Sequence, residues 1–357
     1  MQPRALLLDA ATFSFKKRPT YPQGHHCWLP AATLVNYLSS LPAQPQSRRD
    51  FTLRYGLLNP LDPRQDSDIM SSSNETRTKP AIARDFVRML VLETDEQHPD
   101  DHQERGSFGD VFDSLFKKAG HEHDPPLGVE TVIRFVAEDK GGSVPSMEEM
   151  DDVHTILITG SMYDAHGDAP WILKLVEFIQ ILWQKRPDIR FSGVCFGHQI
   201  LCRALGGKID STPDSKWELA HTPIKLTPIG ARLFNNPKNG TIHLHQMHQD
   251  HVVYPPSSST THLLPEQNDR DIHVWGASET TEVQGVYIRG RLFTTQGHLG
   301  FDEDMVHRQI EMRLQAGSID EEKDREQLEN AKDTAEWQHD GVVVMMMMMI
   351  CYTPMLA

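Results

Sequence analysis

Cysteine is scarce in this chain of 357 residues: four in all, at positions 27, 195, 202 and 351. They are too few and too scattered for a disulfide framework or a cysteine-based zinc ribbon, so a reducing, cytoplasmic setting is expected. Basic residues are outnumbered, 35 Lys and Arg against 50 Asp and Glu, for a formal net charge of -15. That balance excludes nucleic acid and anionic membrane surfaces as expected partners. Long apolar runs are also missing. The longest, "VVVMMMMMICY", has about half the ~20 residues that a spanning helix needs. The start "MQPRALLLDAATF" has one arginine and an apolar run cut by Asp9, which does not read as a secretory signal. A nucleotide-binding P-loop is absent too.

What is present is a globular composition, 38% hydrophobic, with 23 Gly and 23 Pro for sizeable loops. Residues 1–85 carry little periodic pattern and much Pro, Arg, Ser and Gln, and are expected to be a poorly structured extension. Met70 followed by "SSSNETRTKP" resembles an ordinary protein start, which makes residues 1–69 a candidate gene-model artefact. From residue 86 strands alternate with helices. "FVRMLVLET", "VETVIRFVAED", "HTILITGS" and "DIRFSGV" predict strands. "GDVFDSLFKKAG", closed by Gly120, "APWILKLVEFIQILWQ" and "GHQILCRALGG" predict helices. The alternation implies an α/β fold, a mostly parallel central sheet with helices on both faces. Short strands across 222–296, ending with "RLFTTQ", predict an antiparallel extension, and "DEDMVHRQIEMRLQAG" predicts a closing helix. The domain is expected to span 86–345. The methionine run is no core pattern, so 346–357 reads as an atypical tail, the product of a frameshift or an unspliced intron.

One stretch carries chemistry. In "FSGVCFGHQI" a strand runs into Gly193-Val194-Cys195-Phe196-Gly197 and then a helix. A G-x-C-x-G turn at that place presents the cysteine at the carboxyl end of the sheet, where α/β folds bind ligands. The helix N-terminus is expected to lower the thiol pKa, and the Phe196 N–H to serve as an oxyanion donor.

The longer string "GVCFGHQILCRALGG" closely resembles the nucleophile elbow of class I glutamine amidotransferase domains, whose sheet is flavodoxin-like. "ILITGSMYDAHGDAPWILKL" resembles the oxyanion-loop region, "HQMHQDHVVYPP" a segment shaping the glutamine pocket, and "FTTQGHLGFDED" the segment with the catalytic histidine. The chain looks closest to stand-alone fungal and plant members. The resemblance implies that Cys195 attacks a γ-glutamyl amide to form a thioester, with His298 as base and then acid. It also implies an oxyanion site at Phe196, Gly160 and Ser161, and glutamine contacts at Gln199, His248 and Asp250. No cofactor or metal is expected: His243, His245, His248 and His251 match no standard ligand spacing.

The sequence departs from the family at one place. The usual H-P-E is His298-Leu299-Gly300 here, which leaves Asp302 and Glu303 as candidates for the third triad member and predicts reduced activity. Three functions follow. The first is glutamine hydrolysis with ammonia donated to a synthetase or acceptor enzyme in trans, in fungal secondary metabolism. The second is γ-glutamyl peptidase action on glutathione-type conjugates, suggested by "YDAHGD" and "HQDHV". The third is a non-catalytic binding protein of the same fold.

Overall fold

The computed structural model describes residues 86–352, apart from 124–125, 236–239 and 266–271. The extension expected over residues 1–85 lies outside the described residues. The first strands are β1 (Phe86–Glu93), β2 (Gly128–Phe135), β3 (Thr155–Ile158) and β4 (Arg190–Val194). Later come β6 (Glu218–Leu226), β7 (Thr241–His248), β9 (Ile272–Ala277), β10 (Gly285–Ile288) and β11 (Leu292–Thr295). Together they form one sheet in the order β2-β1-β3-β4-β11-β10-β9-β6-β7. From β2 to β11 every pairing is parallel, and from β11 to β7 every pairing is antiparallel. The expected architecture is therefore present, with one correction. β11 pairs parallel with β4 instead of belonging to the antiparallel extension. A small second sheet joins β5 (Lys208–Ser211) to β8 (Asp250–Tyr254).

Both faces of the parallel half are covered, so its inner strands are apolar almost throughout. Leu90 and Leu92 of β1 join a core with Trp171, Ile172 and Leu175 of α3 (Pro170–Lys185) and Ile200 and Leu201 of α4 (Phe196–Ala204). Val87, Met89 and Val91 face the opposite side and pack with Phe112 and Phe116 of α2 (Phe108–Glu122). α2 follows the short α1 (Pro99–Arg105) and does not stop at Gly120 as expected. Gly120 lies inside the helix, where a Cβ would meet the Leu127 carbonyl oxygen at 2.3 Å. The extension carries α5 (Pro228–Leu233). After β11 come α6 (Glu303–Gln315), α7 (Arg325–Asp333) and α8 (Gly341–Tyr352).

The last helix corrects the reading of the C-terminal run. α8 crosses the boundary expected at residue 345, and Val344, Met345, Met348 and Met349 are buried in the same core as Phe116. Spacings of one, three and four residues put these four side chains on one helical stripe. Unbranched methionine fills that irregular space well.

Candidate active site

The turn after β4 is pressed against its neighbours. A Cβ on Gly193 would lie 2.3 Å from the Gly197 carbonyl oxygen, and one on Gly197 would lie 2.1 Å from that of Ile158 in β3. The two glycines are thus required by close approach. The conformational strain falls on the cysteine: Cys195 has φ 53 and ψ -109. An L-residue pays about 1 kcal/mol or more to hold a positive φ of this kind. The turn is pinned by the Cys195 N–H, which donates to the Thr295 carbonyl of β11 at 2.9 Å, and by the Gln199 N–H, which donates to the Cys195 carbonyl at 3.1 Å.

Because β4 and β11 are adjacent and parallel, with Val194 opposite Thr295, the residues beyond both strand ends meet. His298 comes three residues after β11. Its N–H donates to the His245 carbonyl at 2.9 Å, and its ring stacks on Phe301 with centroids 3.9 Å apart and planes at 13°. Gly160, just past β3, faces both side chains. A methyl there would lie 3.3 Å from His298 Cε1 and 3.5 Å from Cys195 Cβ. His298 Nε2 is buried and has no hydrogen-bond partner.

The electrostatics correct one expectation. Burial pushes the Cys195 thiol up to about 11, although the Arg313 charge and the Phe196 N–H both oppose it. Burial likewise holds His298 well below its ordinary value, and the nearby Arg313 cation adds to that. Desolvation outweighs the helix N-terminus here, so the resting pair at neutral pH is a thiol beside a neutral imidazole.

The loop opposite is built by residues that the sequence did not single out. Thr94 Oγ1 donates to the Gly160 carbonyl at 3.0 Å, and the Met162 N–H donates to Asp95 Oδ2 at 2.7 Å. Lys140 Nζ holds Asp95 Oδ1 at 2.9 Å. The Ser161 hydroxyl lies 3.1 Å from the Thr94 carbonyl and accepts from the Tyr163 N–H at 3.0 Å. It is therefore a builder of the loop, and what the loop can offer an oxyanion is backbone N–H.

The candidates for the third triad position are placed elsewhere. Asp302 Oδ1 accepts from the Met305 N–H at 3.1 Å, capping α6, while Oδ2 pairs with Arg105. Glu303 is exposed in the first turn of that helix. Among the described residues no carboxylate forms an ion pair or hydrogen bond with His298. Its ring is held by Phe301 and its backbone by His245.

Gln199, His248 and Asp250 do come together. Gln199 Nε2 donates to the Asp250 carbonyl at 2.7 Å and to Gln296 Oε1 at 3.1 Å. His248 Nδ1 donates to the same carbonyl at 3.0 Å. Its Nε2 lies 2.8 Å from Glu218 Oε2, close for an ion pair but out of line for a hydrogen bond. Burial alone would raise the Glu218 carboxyl, but His248 and two hydroxyls override it and hold it at about 2. The Asp250 carboxylate looks outward to Ser211 Oγ at 2.7 Å and His166 Nδ1 at 3.6 Å. Asp164, His166 and Asp250 have ligand atoms within 4.8 Å of one another and are the described residues best placed to hold a metal. His243 and His245 point the other way, toward His221 and His339.

Arg313 is the residue that sequence reasoning missed. A signal was available: in α6 the buried positions are Met305, Val306, Gln309, Ile310 and Arg313, so a cation stands on the apolar stripe.

Residues 139–339 match the family described as glutamine amidotransferase class-I. A glutamine amidotransferase-like protein of Schizosaccharomyces pombe is 29% identical over 231 residues, covering 65% of this chain and 86% of that protein. Gamma-glutamyl peptidase 3 of Arabidopsis thaliana is 28% identical over 246 residues, with the same coverage of 65% and 86%. The solved structure of SMU.1228c aligns with a TM-score of 0.53 at 15% identity, over 74% of this chain and 99% of that one, a likeness of fold.

Proposed function

Since the chain belongs to the class I glutamine amidotransferase family, we propose that it hydrolyses a γ-glutamyl amide through Cys195 and His298. The observation that supports this most is the convergence of both side chains on one point over Gly160. In the proposed cycle His298 takes the thiol proton as Sγ attacks the γ-carbonyl carbon, and the Phe196 N–H with the backbone of the 160–161 loop receives the oxyanion. As the intermediate collapses, the C–N bond breaks and the leaving nitrogen takes that proton from His298. Water, deprotonated by His298, then attacks the thioester carbonyl carbon, the C–S bond breaks, and the Cys195 sulfur takes the proton back from His298 as glutamate leaves. With glutamine as substrate the ammonia would pass to a separate acceptor enzyme, for which an amidation step of secondary metabolism is our proposed setting.

The test is glutamate release from glutamine and from γ-glutamyl dipeptides, paired with labelling of Cys195 by a glutamine-analogue electrophile. Cys195→Ala should abolish release, and His298→Asn should lower kcat by several orders of magnitude, each with an unchanged circular dichroism spectrum. A folded wild-type protein that releases no glutamate and leaves Cys195 unlabelled would make the chain a binding protein of this fold.

A further inference from the structure

Beside the reacting pair, a crevice runs between the loop at Gly160, α2 and α6, with about 40 Å³ of free space. That is room for on the order of three waters or one carboxylate. His298, Leu115 and Met305 line its sides with Arg313, and so do the acids Asp95 and Glu96, both of which pair with Lys140. Arg313 is only 5% exposed. Its Nη1 donates to Gln309 Oε1 at 2.7 Å and to the Gln309 carbonyl at 3.1 Å, both neutral acceptors. Among the described residues no carboxylate pairs with the guanidinium. The acidic groups that act on it are first the Cys195 thiol, un-ionised in the resting site, and then Asp95, which is already engaged by Lys140 and the Met162 N–H. A buried cation without an anion is costly, and a structure retains one most readily where an anion arrives from outside.

The side of the scissile bond on which that anion sits follows from the chemistry. His298 protonates the leaving nitrogen, so the leaving group must lie on the histidine side. The crevice is lined by His298 and by none of Gln199, His248 or Asp250, the group carried over as γ-glutamyl contacts. We propose that Arg313 is a specificity-determining residue that receives a carboxylate of the leaving group, so that the preferred substrate is a γ-glutamyl amino acid or peptide. Glutamine, whose leaving group is ammonia, has nothing to offer it. This inference rests on the Cys195–His298 hydrolysis proposed above.

The experiment compares γ-glutamylglycine with γ-glutamylglycinamide, which differ only in the terminal charge, and adds glutamine as a third substrate. A charge-assisted pair to a buried guanidinium should favour the acid over the amide by about tenfold to a hundredfold in kcat/KM. Arg313→Gln should bring that ratio to within about twofold of one, and Arg313→Lys should keep part of it. A merely structural role for Arg313 would lower both rates together and leave the ratio alone. Equal kcat/KM for acid and amide in the wild type overturns this inference while leaving the hydrolase reading intact, and it decides the matter even where Arg313→Gln fails to fold. No turnover of any of the three, with Cys195 inert to the electrophile, overturns both.

Discussion

Raising the pH should switch on Cys195 far later than it switches on an ordinary cysteine. Its thiol titrates at about 11 against an ordinary 9.0, because burial penalises the thiolate more than Arg313 and the Phe196 N–H favour it. At pH 7.5 a group of pKa 11 is ionised about once in 3,000 molecules, and one of pKa 9 about once in 30, a deficit of roughly 100-fold. The more basic thiolate is the better nucleophile, and with a Brønsted slope near 0.5 it recovers about tenfold. The second-order rate with a small methanethiosulfonate should therefore lie about tenfold below that of an exposed cysteine at pH 7.5. It should climb about tenfold per pH unit until near pH 11. Quenching at timed intervals and quantifying the peptide that holds Cys195 by mass spectrometry isolates it from Cys27, Cys202 and Cys351. The slope is the diagnostic quantity, because restricted access lowers every rate equally and leaves it unchanged. A plateau below pH 8 would refute the reasoning, since it would mean that a thiolate–imidazolium pair is already formed in the resting protein.

Three further outcomes are expected. Cys195→Gly should be more stable than Cys195→Ala by about 1 kcal/mol in urea unfolding, because glycine relieves the positive φ that alanine retains; equal stabilities would show that the turn is unstrained. Gly160→Ala should lower kcat/KM about tenfold to a hundredfold with little change in Tm, since the new methyl must push His298 Cε1 back by a few tenths of an ångström. Unaltered kinetics would remove Gly160 from the reaction centre. The depressed Glu218 carboxyl stabilises the fold above its unfolded pKa of 4.5, a contribution lost as the pH falls toward about 2. Acid unfolding of Glu218→Gln should accordingly be less steep across that window, and a superimposable profile would show that the pair with His248 contributes nothing.

Much of the central sheet was legible because buried parallel strands announce themselves as apolar runs, as "FVRMLVLE" and "TILI" do. The elbow was legible because close backbone approach forces glycine at 193 and 197. The direction of β11 was not, since "LFTT" reads the same whether its neighbour runs parallel or antiparallel. The methionine run of α8 misled because side chains buried on one stripe are hidden when nearly every residue around them is apolar too. The charge state of Cys195 escaped for another reason. A local pattern shows the helix N-terminus, whereas desolvation depends on tertiary packing, which places Cys195 in one core with Phe112, Leu157 and Met345 from distant parts of the chain. Asp302 looked available beside His298 until its cap on α6 and its pair with Arg105 claimed both oxygens.

The seam between β4 and β11 also bears on how the protein comes to life during synthesis. Cys195 and Thr295, joined by a single backbone hydrogen bond, are about 100 residues apart in the chain. β11 must insert next to β4 after β6, β7, β9 and β10 have been made, so the sheet closes at its middle instead of growing from one edge. A nascent chain emerging from the ribosome can shape the elbow around Cys195 once β3 and β4 are out, yet it carries an isolated thiol with no proton acceptor. The proposed cycle therefore needs one late step, in which the strand that delivers His298 docks. Pairing so distant in sequence is slow to form. The interval before it, with the flanks of β4 and β10 unsatisfied, is when this chain is most exposed to mispairing with another copy.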